Sequence, residues 1–216
     1  MSKYVLSDVN ALVTRSAVNP DEFQQWQREG RHWISNDSLP GLGQPQAPST
    51  DEVYSAWAKN AGTTEPGYAG LIVDEFPCDV DRTYYTPWTE AVVRLHETPS
   101  FAKRMYYAWC NELFSEEPSL ALCRRVMELG YRFSWEVYLY EPPWEEAAQA
   151  MFGRRLRTPF EHWRAATPGI EAHMIVCLGY LSVPPESLNL NPGVDYQVFL
   201  DRQFEYLANE PTFFGV

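Results

Sequence analysis

No window of this chain approaches 18 consecutive apolar residues, and no apolar stretch of signal-peptide length follows Lys3 in MSKYVLSDVNALVTRS, so nothing marks secretion or a membrane span. Basic residues are scarce. Seventeen Lys and Arg stand against 29 Asp and Glu, a formal charge of -12. That balance repels a phosphate backbone and offers no basic stripe to follow one, which argues against nucleic acid as a partner, and it disfavours an anionic membrane surface for the same reason. The acidity itself reads as solubility.

Cysteine and histidine are equally sparse. Cys78, Cys110, Cys123 and Cys177 form no CxxC and have no close His partner, so buried free thiols are expected in place of a disulfide framework or zinc site. His32, His96, His162 and His173 lie far apart with no HxH or HExxH. His32 and His173 fall early in strands and read as hydrogen-bonded core residues. A G-x-S-x-G elbow, a P-loop and a G-x-G-x-x-G turn after the first strand are all missing.

What the chain does have is apolar material: 45% hydrophobic and 15% aromatic residues over 216 positions, enough for one large domain. Short β-branched or aromatic runs alternate with segments of helical spacing. A strand near Val9 to Val13 precedes "NPDEFQQWQREG", where Asn19 caps, Pro20 occupies the first helical position and Gly30 ends the helix. "RHWIS" leads into a long Pro/Gly loop, and Ser49 or Thr50 caps the helix "DEVYSAWAKNAG". There follow the strand "GLIVDEF", a helix around "TPWTEAVVRLHE", the strand "KRMYYAWC", the helix "EPSLALCRRVMELG" and the strand "YRFSWEVYL". The helix "PPWEEAAQAMFGRRL", the strand "EAHMIVCLG", the helix "VDYQVFLDRQFEYLANE" and a last strand "FFGV" complete the series.

This order implies parallel strands with right-handed crossovers, hence a barrel or a doubly wound sheet. Lacking a dinucleotide turn, the chain reads as a single-domain (β/α)8 TIM-type barrel. Because the series stops on a strand, a minimal or C-terminally truncated barrel, cut from a longer parent chain, is expected.

In such a barrel the working residues sit at the C-terminal strand ends. Asn36 and Asp37 follow the second strand and Asp74 and Glu75 end the third. In "RFSWEVY" the period of two puts Phe133, Trp135 and Val137 on one side, and Arg132, Ser134, Glu136 and Tyr138 on the axis side. Glu136 is therefore a site residue, or else the partner of Arg132 or another arginine in a mouth ion pair. By the same alternation only one of Asp74 and Glu75 faces the mouth, with Glu75 as the catalytic member and Asp74 as support. Two carboxylates across a barrel mouth suit glycoside hydrolysis, at about 5–5.5 Å for retention or about 6.5–9.5 Å for inversion. Tyr84, Tyr85, Trp88 and Trp144 follow strand ends and are candidate platforms for sugar faces, whereas Trp26, Trp57 and Trp163 read as core. The loop "SVPPESLNLNPGVDY", with Glu186, is a further source of substrate contacts.

"GLIVDEF", "SWEVYLYEPPWEEAA" with Glu136 and Glu141, and the tail from "CLGYLSVPPES" to "FFGV" together resemble the TIM-barrel domains of glycoside-hydrolase-like bacterial proteins, from about Trp33 onward. The Asn-Glu pair that many barrel glycosidases carry on one strand is Asp74-Glu75 here. The resemblance implies a chain running on past "FFGV", a carbohydrate substrate or ligand, no cofactor, and Glu141 as a supporting acid. The expected activity is cleavage of a glycosidic bond by Glu75 and Glu136. The alternative is a catalytically silent barrel that binds carbohydrate or a protein partner.

Overall fold

A computed structural model of the protein describes residues 9–15, 19–78, 80–111, 114, 116–139, 144–179, 196–209 and 215. Six parallel strands form one sheet in the order of the chain: β1 (Ala11–Thr14), β2 (His32–Asp37), β3 (Tyr68–Phe76), β4 (Met105–Cys110), β5 (Arg132–Val137) and β6 (Met174–Leu178). Between them run α1 (Pro20–Arg28), α2 (Thr50–Lys59), α3 (Ala61–Thr64), α4 (Arg82–His96), α5 (Glu117–Glu128), α6 (Glu145–Phe152) and α7 (Thr158–Ala166), with α8 (Tyr196–Ala208) after β6.

The caps are written in the sequence. Asn19 accepts from the Asp21 amide ahead of Pro20 at the start of α1. Ser49 and Glu52 form a reciprocal capping box on α2. Asp81 caps α4 by accepting from the Thr83 amide. That helix begins at Arg82, four residues before the expected Thr86, because Pro87 lies inside it and not in its first turn. Two helices were not legible. α3 is a single turn capped by Asn60. α7 continues from α6 through a π-helical turn, Gly153–Arg157, and Pro159 sits where that changed bonding makes its missing amide tolerable.

One side of the sheet carries the core. Leu71, Val73 and Phe76 of β3, Tyr106 and Ala108 of β4, and Phe133 of β5 are fully buried against helices that contribute Trp57, Trp88, Leu95 and Leu122. Trp26, Trp57 and Trp163 are buried too. Gly70 is required where β3 meets β4, since a Cβ there would run into the Met105 carbonyl.

The closed (β/α)8 barrel expected from the strand and helix order is not what forms. The sheet is a curled, open half-barrel: among the described residues β1 pairs with β2 alone, and β6 pairs with β5 and meets one isolated parallel bridge, Ile175 to Gly215. The expected seventh strand at "FFGV" is thus represented by Gly215, whose carbonyl accepts from the Val176 amide at 3.0 Å. Alternation specifies parallel strands on one winding hand, but closure needs the right number of strands with matched tilt and stagger. The inner face, which neighbouring strands would fill in a closed barrel, instead borders a hollow of about 1060 Å³.

Candidate functional site

Inner-face residues at the C-terminal strand ends converge on Glu136 of β5. Its Oε2 accepts a hydrogen bond from Trp109 Nε1 of β4 at 2.7 Å, and Tyr138 bonds the same carboxyl. Burial raises the Glu136 pKa above its ordinary value. The two hydrogen bonds pull it down, and the charges of Glu75 and Asp74 push it up again. Burial and then the Glu136 charge lift the Tyr138 phenol to about 12. The ring of Tyr138 lies over Gly179, where a Cβ would come 2.5 Å from its Cδ1. Cys177, the β6 partner of Glu136, is raised to about 12 by burial and is bonded to Ser134.

β3 reaches this centre through a bulge. Val73 pairs with Ala108 and Phe76 with Cys110, so Asp74 and Glu75 both stand opposite Trp109. Simple alternation had allowed one of them to face the mouth. The bulge removes that restriction: both acids raise Glu136, while Val73 and Phe76 stay in the core on either side. Glu75 is exposed and has φ 57°, a positive φ found at no other non-glycine residue among those described. Such left-handed backbone costs an L-residue about 1–2 kcal/mol.

Asp74 is held from the other side. Arg15, just past β1, donates from its Nε to Asn36 Oδ1 at 2.9 Å and from a terminal nitrogen to Asp74 Oδ2 at 2.7 Å. Arg132 sits at the start of β5, donating to the carbonyls of Gly130 and Tyr131.

The remaining expected site residues scatter. Asp37 belongs to the helix side, accepting from Asn60 Nδ2 at 3.1 Å and from the Ser38 amide. Trp88 is fully buried and Tyr85 nearly so, which leaves neither ring a face for a sugar. With Tyr84 they fasten the neighbouring loops: Trp88 Nε1 donates to the Pro40 carbonyl, Tyr84 to that of Gln44, and Tyr85 to that of Pro77. Trp144 is 63% exposed, just ahead of α6. Glu141 and the loop containing Glu186 lie outside the described residues.

His32 is exposed and not in the core, while His173 bonds the Tyr131 carbonyl. Sequence reasoning overlooked Arg15 and Trp109. The available signal for Trp109 was the period of two in "MYYAWC", which sets Trp109 on the face opposite the buried Tyr106, Ala108 and Cys110.

Neither a protein-family model nor a curated protein sequence matches the chain. Among the described residues no helix is long and apolar enough to cross a membrane, and no three His, Cys, Asp or Glu side chains are grouped to hold a metal ion.

Proposed function

We propose that the half-barrel mouth hydrolyses a glycosidic bond, with Glu136 as the general acid and Glu75 as the second carboxylate. Asp74, fixed by Arg15, supports the pair. The observation that carries this reading is the environment of Glu136: a carboxyl whose burial favours its protonated form, facing two further acids across the bulge of β3. Carboxyls whose surroundings separate their affinities for a proton divide naturally into acid and base or nucleophile.

In the reaction Glu136 gives its proton to the leaving oxygen as the anomeric C–O bond breaks. Glu75 either attacks the anomeric carbon or takes a proton from water. One water is consumed overall and its hydroxyl ends on the anomeric carbon; its proton returns to Glu136 when Glu75 is the nucleophile, and passes to Glu75 when Glu75 is the base, after which Glu75 releases a proton to solvent and Glu136 takes one up. The positive charge developing on the sugar ring meets Asp74 and Glu75.

The test is turnover of α- and β-glycosides of glucose, galactose, mannose and xylose by the parent, Glu136→Gln and Glu75→Gln. Activity in the parent that falls by about 10²-fold or more in either variant supports the reading. Equal rates in all three remove both residues from the mechanism. Sugar binding without turnover in the parent favours the catalytically silent alternative.

A further inference from the structure

The hollow below the mouth has no part in the chemistry just described, yet it is continuous with it. Trp109 and Cys177 flank Glu136 on β4 and β6, and both line the hollow. So does Ser134, two residues before Glu136 on the same face of β5. Deeper down the walls become mostly apolar, with Ile34, Ile72, Tyr107 and Ile175 from the strands and Phe204 from α8, while Asn10 and, on α8, Asp201 are polar members of the lining. Ser134 is engaged with Cys177, which leaves Asn10, Asp201 and the Tyr107 hydroxyl as polar groups among walls that are otherwise largely hydrocarbon, few to replace the water around a second sugar ring. Apart from Asp201 on α8, the charged residues Arg15, Asp74 and Glu75 gather on the β1–β3 side of the mouth.

Resting on the hydrolase reading, we infer that the hollow binds the leaving group of the glycoside, and that this group is an apolar alkyl or aryl aglycone. The oxygen protonated by Glu136 belongs to the leaving group, so that group must lie on the Glu136 side of the scissile bond. The space adjoining Glu136 on that side is the largely apolar hollow. Burying a hydrocarbon chain there removes its surface from water, a gain that rises with each methylene until the space is filled. The sugar itself, with its developing positive charge, stays among the carboxylates. In bond terms the aglycone leaves as an alcohol or phenol carrying the Glu136 proton, and water supplies the new anomeric hydroxyl.

The test is a homologous series, methyl, butyl, hexyl and octyl glycosides of whichever sugar the protein turns over, because these leaving groups differ in length and scarcely in acidity. The expected result is a kcat/KM that climbs by about twofold or more per methylene, mostly through KM. Val13 and Phe204, both lining the hollow, are 40% and 47% exposed, so the double variant Val13→Ser, Phe204→Ser is expected to fold, which circular dichroism checks. In it the octyl-to-methyl ratio of kcat/KM falls about tenfold. Equal turnover along the series in the parent, or an unchanged ratio in the variant, overturns the inference while leaving the hydrolase reading intact. No turnover of any glycoside overturns both.

Discussion

Trp109 Nε1 donates to Glu136 Oε2 at 2.7 Å, and the same tryptophan stands opposite both Asp74 and Glu75 across the bulge in β3. One indole on β4 therefore connects the acids of two different strands. It steadies the Glu136 carboxylate and opposes the lift that burial and the neighbouring charges impose.

Replacing Trp109 by Phe keeps an aromatic ring and removes the donor. Glu136 then holds its proton to higher pH, so the alkaline limb of the kcat/KM profile moves upward, as does the Glu136 carboxyl in a 13C NMR titration. A hydrogen bond to a charged group is worth roughly 1.5–3 kcal/mol, and kcat/KM is expected to fall about tenfold or more as the carboxyl loses its orientation.

The linkage of Glu136 to stability has a definite sign. Its native pKa lies above the ordinary 4.5, so the native state binds the proton more tightly than the unfolded chain does. That contribution to stability is fully present below about pH 4.5 and is lost as pH rises through the raised native value. Glu136→Gln stays neutral and retains an acceptor for Trp109. Thermal melts should show the variant with a higher Tm than the parent near pH 8, the difference shrinking toward pH 4.

Glu75 occupies left-handed backbone that glycine adopts freely. Glu75→Gly should be more stable than Glu75→Ala by about 1 kcal/mol in urea titrations. On the hydrolase reading both lose turnover, so the strained backbone at Glu75 is retained for function and not for stability.

Gly70 tests the sheet. A methyl group at this position enters the Met105 carbonyl of the adjacent strand, and the Gly70 carbonyl is itself approached by Gly62 of α3, where a Cβ would come 2.4 Å from its oxygen. Gly70→Ala should cost about 3 kcal/mol in the same titration.

Much of this architecture was legible because it is local. Asn19 and Pro20, Ser49 with Glu52, and the alternation of buried Phe133, Trp135 and Val137 with inward Ser134 and Glu136 state their roles within a few residues. Closure was not legible, since it depends on how many strands pair and not on how any one is written. At the site, Glu136 followed from its period of two. The joint presence of Asp74 and Glu75 did not, because the bulge that resets the period exists only in the pairing with β4. Trp88 and Tyr85 misled for a related reason. Their place after a strand end resembles a platform, yet α4 starts early enough to turn both into the core.

General acid catalysis by Glu136 is the claim on which the functional account depends. It is tested most directly by comparing Glu136→Gln with the parent on two glycosides of the same sugar, one with a methyl and one with a 2,4-dinitrophenyl leaving group. A dinitrophenolate departs without a proton, whereas a methoxide does not. The account predicts a loss of about 10²–10⁴-fold on the methyl glycoside and little loss on the dinitrophenyl glycoside. Equal losses on the two substrates, or no loss on either, contradict it.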